Sequence, residues 1–363
     1  MNRRLFLLMP VITSALIANQ NFCEEEFFKK IAETKKRDIG DSELLINILQ
    51  ERPFDEEASL KLIEIFKKDL SLNPNNIQKY NKDRMFWNVI SYVAIFTFSD
   101  AIKKELLAIY TNNKKEIFSS YSYRNFLVLK NIGGLNNEKR FLEQIKDSST
   151  DNLFKMFYQI NYASLKIEPK LIETYKKELS FNLSSCSKRE LLLKTSSQLD
   201  FLFILKLFIY SKIFQDKENE IKKYFYAISN NISIWEYLEY IYYKEKKNLI
   251  AGQKLQLFFG LENEVNSVKR FVINGYIEVA DNALNMQEYN QAWNYSVLST
   301  KLILSLEDFS KKDMSSFLKS KSILQKSSKE LISIYIQKKD QLLTEHIYKQ
   351  TNNLLSLMPK IKG

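Results

Sequence analysis

The carboxyl-terminal quarter of the chain lacks the residues that usually end helices. After Gly275 the next glycine is Gly363, and the one proline between them is Pro359. The whole chain of 363 residues contains 7 Gly and 5 Pro. Because turn-rich β architectures depend on these two residue types, their scarcity favours long helices. We therefore expect an all-α fold of stacked helical hairpins, an arrangement similar to an α-solenoid.

Two segments with little or no charge indicate helices that are buried on most sides. Residues 85–99 contain no charged side chain, and residues 201–214 contain only Lys206 and Lys212. Both segments are shorter than the roughly 20 residues that a helix needs to cross a bilayer. A helix that is apolar all round requires other helices around it, so these segments predict more than one layer of helices.

Capping signals predict where some helices begin. Asp55 is expected to cap a helix that ends before Asn73, and Ser310 is expected to form a capping box with Asp313. From Lys312 onward the sequence predicts one or two long helices. Their apolar positions do not keep a heptad repeat, so a sustained coiled coil is not expected.

The amino terminus has the layout of a secretory signal peptide. Arg3 and Arg4 precede an uncharged, largely apolar run over residues 5–18. At ~1.5 Å per residue this run spans ~21 Å as a helix, less than the ~30 Å of a bilayer core. We expect residues 1–22 to be a signal peptide or an amino-terminal anchor, with export to the periplasm or the cell envelope. An ordinary buried first helix is the alternative.

The two cysteines do not define a disulfide pattern. Cys23 follows Phe22, whereas a lipoprotein signal has a small residue before its cysteine, so lipidation of Cys23 is not expected. Cys186 is the other cysteine, far away in the sequence. A bond between the two in an oxidising compartment and two free thiols are both left open.

The formal net charge of +11 raises the question of nucleic-acid binding. Lysines are mixed with acidic residues almost everywhere, and no block of five or six like charges occurs. This pattern is typical of a solvated, lysine-coated surface. A cytoplasmic basic helical protein that binds nucleic acid is the alternative interpretation.

Small and aromatic residues are spaced regularly in the segment that follows Gly275. Tyr276, Val279 and Ala280 precede Tyr289 and Ala292 at the offsets of a two-helix unit. This segment resembles a tetratricopeptide repeat, in which small residues let two antiparallel helices approach closely and aromatic residues fill the groove beside them.

An earlier segment shows part of the same spacing. Trp235, Leu238 and Tyr242 match the first helix of the unit, and Ala251 falls at its small position. Glu239 departs from the pattern, because a glycine or alanine is expected there. The resemblance is best over residues 232–306.

The resemblance implies a ligand face on the first helix of the hairpin. In this chain that face would consist of Asn274, Ile277, Asp281 and Asn285. Repeats of this family that clamp a peptide carboxylate use lysine and asparagine, and neither Ile277 nor Asp281 fits that role. The resemblance therefore implies a binding protein for protein partners of unknown identity. Peripheral association with a membrane is a further expectation for the same chain.

Sequence patterns of catalysis are missing. His346 is the one histidine, and the chain has no glycine-rich phosphate loop, no CxxC and no HExxH. We therefore expect no catalytic residue, no metal site and no cofactor. An all-α envelope enzyme with an unrecognised acid pair is a third, less favoured class.

Four regions are expected along the chain. They are the signal peptide or anchor (1–22), an amino-terminal helical region (23–150), a hairpin array with tetratricopeptide-like units (151–309) and long carboxyl-terminal helices (310–363). The function predicted from the sequence is a non-enzymatic protein–protein interaction scaffold exported to the bacterial cell envelope.

Overall fold

The fold was analysed in a computed structural model. It describes residues 54–76, 84–112, 121–145, 152–162, 201–228, 232–262, 266–307 and 309–357, with the single positions 45, 48, 49, 169, 170 and 173. Within these ranges the protein is all-α and has no β-strand. The predicted all-α stack of helices packed in neighbouring pairs is confirmed.

The amino-terminal part of the described chain contains six α-helices. They are α1 (Glu56–Leu72), α2 (Arg84–Phe96), α3 (Asp100–Asn112), α4 (Tyr123–Ile132), α5 (Glu138–Ile145) and α6 (Asn152–Tyr162). A short 3₁₀ turn, Pro74–Asn76, follows α1.

Eight further helices are described in the carboxyl-terminal part. They are α7 (Phe201–Ile213), α8 (Glu218–Ile228), α9 (Ile232–Glu245), α10 (Ile250–Leu261), α11 (Asn266–Asn285), α12 (Tyr289–Leu304), α13 (Lys311–Gln337) and α14 (Gln341–Leu357). A 3₁₀ turn, Gln215–Lys217, precedes α8. The prediction of one or two long helices after Lys312 is confirmed, since α13 and α14 cover this region.

Both predicted helix caps form in the structure. The Asp55 carboxylate accepts a hydrogen bond from the backbone N–H of Ala58 (3.0 Å) at the start of α1. At the start of α13 the Asp313 carboxylate accepts from the backbone N–H of Ser310 (2.8 Å), and both halves of the capping box are present. Each cap satisfies backbone groups that have no partner inside the helix.

The last six helices form three consecutive hairpins. Helix α9 packs on α10, α11 on α12 and α13 on α14. Each hairpin packs on the next, because α10 contacts α11 and α12 contacts α13, while α11 and α13 also lie side by side. The array therefore continues beyond residue 309 to the end of α14.

The three hairpins share one turn geometry. In each turn a residue other than glycine has a positive φ: Lys247 (51°), Gln287 (61°) and Lys339 (58°). In each case the backbone N–H of the following residue donates to a carbonyl five residues back, as in the Schellman motif. Three copies of one turn indicate a repeated structural unit, whatever its ancestry.

The predicted small residues are buried in the hairpin array. Ala251 and Ala292, the predicted small positions, are 1% and 0% exposed. Beside Ala251, a Cβ atom added to Gly252 would lie 2.1 Å from Cζ of Tyr295 on α12. Because Gly252 has no side chain, the tip of the Tyr295 ring fits against α10 at this point.

The core is formed by two hydrophobic clusters. The smaller cluster contains residues of helices α1, α2, α3 and α4. The larger one extends from Phe54 through the hairpin array to Leu354. The segments predicted to be buried on most sides become α2 and α7, and the side chains described in α7 are buried or partly buried. This burial supports the prediction of more than one layer of helices.

Candidate functional site

The residues predicted to form a ligand face lie on α11, along its border with α13. Asn274 and Asn285 are exposed and Asp281 is partly exposed. Oδ1 of Asn274 accepts a hydrogen bond from Oγ of Ser316 (2.6 Å), and Asp281 forms an ion pair with Lys319 (2.9 Å). Since both partners belong to α13, we define the exposed border between these two helices as the α11–α13 face.

Ile277 differs from the other three predicted residues. Its side chain is 4% exposed and belongs to the main hydrophobic cluster. The expectation that this residue lies on an exposed face is therefore wrong. Residues three or four apart are neighbours on a helix, so Ile277 shares a side with Asn274 and Asp281. The packing of α13 against that side of α11 accounts for its burial.

A cleft of about 460 Å³ opens at the amino-terminal end of the α11–α13 face. Among the four predicted residues, Asn274 alone lines it. The charged residues that line it are Glu56, Asp100, Lys103, Arg270 and Asp313. The cleft thus lies where the starts of α1, α3 and α13 meet α11.

Aromatic rings form the apolar part of the cleft. Phe98, which precedes α3, stacks on Phe271 of α11 with ring centroids 4.0 Å apart and an interplanar angle of 18°. Behind them Tyr237 contacts both rings, with centroid distances of 5.5 Å to Phe98 and 5.7 Å to Phe271. This contact joins the amino-terminal helices to the hairpin array and positions the cleft between them.

The carboxylates of the cleft belong to the first turns of three helices. Glu56 lies in the first turn of α1, Asp100 in that of α3 and Asp313 in that of α13. A helix amino terminus carries a partial positive charge, which an acidic side chain stabilises. Glu56 also accepts a hydrogen bond from Oγ of Ser267 on α11.

Arg270 and Asp313 form the best-defined ion pair of the cleft. Nε of Arg270 lies 3.0 Å from Oδ1 of Asp313, and Nη2 lies 3.4 Å from Oδ2. Burial disfavours the Asp313 carboxylate, but hydrogen bonds from Arg270 and Ser310 outweigh this effect and lower its pKa. Across the cleft, burial lowers the pKa of the Lys103 ammonium although Asp100 lies nearby.

A second polar cluster is buried between α7, α8, α9 and α10. Nζ of Lys212 donates to Oε1 of Glu239 (2.5 Å) and to Glu218. The side chains of Lys212 and Glu239 are 3% and 2% exposed. Lys254 reaches the other oxygen of Glu239 at 2.7 Å. We call this cluster, with the groups described next, the buried ion network.

Glu236 completes the buried ion network one helical turn before Glu239. Lys222 lies 3.1 Å from Oε1 of Glu236, and the Tyr226 hydroxyl donates to the same oxygen. Lys254 approaches Oε2 at 3.4 Å. With Lys212 and Glu218, the network contains three lysines and three glutamates, so its formal charges cancel.

The pKa shifts show how these charges are maintained. Burial disfavours the Lys212 ammonium, but Glu239 and Glu218 outweigh this and raise its pKa. Burial also disfavours the Glu239 carboxylate, while Lys212 and Lys254 lower its pKa. Burial and the nearby Glu236 raise the pKa of Tyr226. Lys212 and Glu239 therefore keep their charges near neutral pH and can hold the four helices together, whereas burial lowers the pKa of Lys222.

Sequence reasoning did not identify the buried ion network. The available signals were isolated charges inside apolar helices: Lys212 in α7 and Glu239 at the position where the repeat pattern expects a small residue. These two residues are far apart along the chain, and no spacing rule connects them.

Some predicted features lie outside the described residues. These are the signal peptide or anchor (1–22), Cys23 and Cys186. Within the described ranges, no group of three or more His, Cys, Asp or Glu side chains could hold a metal ion. None of the helices in those ranges has the length and hydropathy needed to cross a membrane.

No protein-family model, curated protein or solved structure matches this chain. A function therefore has to be inferred from the cleft, the α11–α13 face and the buried ion network themselves.

Proposed function

We propose that the chain is a non-enzymatic scaffold that binds a polypeptide segment in the cleft and along the α11–α13 face. The observation that carries this proposal is the mixed polar and apolar lining of the site. Polar walls with both signs of charge stand beside the stacked rings of Phe98 and Phe271. A polypeptide offers backbone donors and acceptors together with apolar side chains, so it can satisfy both parts of such a site.

The charge pattern disfavours nucleic acid at this site. Each phosphate of a nucleic-acid strand would approach the carboxylates of Glu56, Asp100 and Asp313. The cations beside them are Lys103 and Arg270, and Arg270 is already paired with Asp313. Nucleic-acid sites instead concentrate unpaired positive charge along the phosphate backbone. Nanomolar, sequence-dependent binding of DNA or RNA at physiological salt would therefore overturn the scaffold proposal.

The resemblance to tetratricopeptide repeats supports the same conclusion. In such arrays the first helices of successive hairpins form a continuous binding surface. Here α9, α11 and α13 hold those positions, and ion pairs join them: Lys244 to Glu278 (2.9 Å) and Lys319 to Asp281 (2.9 Å). We therefore assign partner binding to Asn274, Asp281 and Asn285, and no longer to Ile277.

Site-specific photo-crosslinking tests where the partner binds. A crosslinking amino acid in place of Asn274 or Asn285 should capture a protein in the producing cells. The control position is Asn294, which is exposed on α12 and lies outside the site. Protein adducts from all three positions, or from Asn294 alone, would place the partner elsewhere.

Export to the cell envelope is the second part of the proposal, and its support is the sequence of residues 1–22. Signal cleavage should give a mature protein that begins between Asn19 and Cys23 and fractionates outside the cytoplasm. Mass spectrometry of the mature amino terminus measures this directly. An intact Met1 on cytosolic protein would contradict export and would favour the nucleic-acid alternative.

A further inference from the structure

We propose that the cleft recognises a basic side chain, an arginine or a lysine, of the polypeptide segment that it binds. This assignment rests on the partner binding proposed above. The residue that would pair with the basic side chain is Glu56, which lines the cleft and is partly exposed. Within the described residues its carboxylate has one partner, the hydroxyl of Ser267, and it forms no ion pair.

The other four charged side chains of the cleft offset one another. Arg270 pairs with Asp313 at 3.0 Å. Asp100 and Lys103 lie three residues apart on α3 and attract each other. The lining thus has two cations and three carboxylates, and its formal charge is 2 − 3 = −1, in a chain of net charge +11. The charge that remains without an opposite neighbour is that of Glu56.

The start of α1 does not use the Glu56 carboxylate as a cap. The Asp55 side chain caps this helix, since it accepts from the backbone N–H of Ala58 (3.0 Å). Glu57, also in the first turn, pairs with Lys61. A helix amino terminus carries only about half an elementary positive charge. With Asp55 and Glu57 beside it, this partial charge does not compensate Glu56 as well.

A bound segment would remove water from Glu56. A carboxylate that loses its water is costly unless an opposite charge or several donors replace it. An arginine or lysine side chain supplies both the charge and the donors. A neutral polar side chain leaves the charge uncompensated, and an acidic one adds to the negative charge of the lining.

The apolar lining lies beside the same carboxylate. Ser267, which donates to Glu56, precedes Phe271 by one turn of α11, so both residues share a side of this helix. Phe271 and its stacking partner Phe98 are partly exposed at the cleft. Arginine and lysine have aliphatic stems that cover apolar surface while the charged end reaches a polar group. Such a side chain therefore matches the rings and Glu56 together.

Selection from a phage-displayed library of random peptides, with the full-length protein as bait, tests the assignment. The wild type should enrich peptides that carry arginine or lysine at one fixed position. The net charge of +11 attracts acidic peptides, so a basic preference cannot come from the overall field of the protein. Glu56→Lys should reverse the preference at that position to aspartate or glutamate.

The matched control is Glu57→Lys. Glu57 is the next residue of α1, is exposed and does not line the cleft. This variant changes the net charge by the same amount as Glu56→Lys and should keep the basic preference. Equal thermal unfolding of the variants and the wild type ensures that binding, rather than folding, is compared.

The conservative variant Glu56→Gln gives a second measurement that does not need a reversed charge. The probe is a selected peptide labelled with fluorescein, and fluorescence anisotropy measures its affinity. Replacing the basic residue of the peptide with glutamine should weaken binding to the wild type about tenfold or more. The same replacement should weaken binding to Glu56→Gln by less than about twofold, because the carboxylate that it pairs with is gone.

The outcomes separate this assignment from the proposed function. A basic preference that Glu56→Lys reverses and Glu57→Lys retains supports it. Enriched peptides without a basic preference, or a preference that survives in Glu56→Lys, overturn it and leave polypeptide binding intact. Absence of any enriched peptide also overturns it. Crosslinking at Asn274 and Asn285 decides separately whether the proposed function fails as well.

Discussion

Lys212 of α7 and Glu239 of α9 form an ion pair of 2.5 Å in which both side chains are almost completely buried. Removing two charges from water is costly, and their attraction compensates only when the remaining hydrogen-bonding groups are also satisfied. Glu218 and Lys254 provide those further partners, one for each member of the pair. The pair thus depends on four helices being in place at once.

Neutralising Glu239 should destabilise the protein strongly. Glu239→Gln leaves Lys212 and Lys254 buried without their shared carboxylate, and breaking a buried pair in this way costs about 3–5 kcal/mol. Urea unfolding followed by circular dichroism measures the change. The matched control is Glu57→Gln, which removes the carboxylate of an exposed pair with Lys61 in the first turn of α1 and should lower the midpoint much less. Similar losses in both variants would contradict the special role of the buried pair.

The stability that this pair provides should depend on pH at both ends of the range. The pKa of Glu239 is lowered on folding, so its contribution is present above about pH 4.3 and is lost as pH falls further. The pKa of Lys212 is raised, so its contribution is present below about pH 10.4 and is lost as pH rises through the folded value. The test compares the unfolding free energies of the wild type and K212M/E239L from acid to alkaline pH. At both extremes the wild type should lose stability relative to the variant. A difference that does not vary with pH would refute this assignment.

Two glycines of α10 should respond oppositely to the same substitution. Gly252→Ala places a methyl group 2.1 Å from the Tyr295 ring, and this overpacking should cost about 1–3 kcal/mol. Gly260→Ala meets nothing within 4 Å and should stabilise by up to about 1 kcal/mol, because alanine favours the helix. Thermal unfolding of both variants distinguishes them. If both are stabilised, the Tyr295 ring does not fill the space beside Gly252.

Ala292 should tolerate no larger side chain. It is 0% exposed within α12, so Ala292→Leu should overpack its surroundings and cost about 1–3 kcal/mol. Asn294→Leu, at an exposed position of the same helix, should change stability by less than about 0.5 kcal/mol. Denaturant midpoints of the two variants give the comparison, and equal midpoints would contradict tight packing around Ala292.

Substitutions on the α11–α13 face should affect partner binding rather than stability. Asp281 and Asn285 are partly exposed and exposed, and the Asp281–Lys319 pair lies at the surface. Replacing both residues with serine should therefore change the unfolding free energy by less than about 0.5–1 kcal/mol. Capture of a partner in envelope extract should fall at the same time. If the double variant captures the partner as well as the wild type does, the partner does not bind at this face.

Local features of the sequence were sufficient to predict the class of fold. The scarcity of glycine and proline, the apolar segments that became α2 and α7, and the caps at Asp55 and Ser310 all concern neighbouring residues. The small positions Ala251 and Ala292 could be placed for the same reason, since the spacing along a helix determines which residues share a side.

The tertiary structure decided which polar residues face each other. Glu239 breaks the repeat pattern because Lys212 and Lys254, on two other helices, meet it in the core. Ile277 is covered because α13 packs on that side of α11, and the cleft is lined by Phe98 and Phe271, which stack across two parts of the chain. Helical periodicity assigns a residue to a side of its own helix, but it carries no information about the angle and register at which another helix packs. Charge pairing, burial and cavities depend on that packing, so they could be determined only from the folded chain.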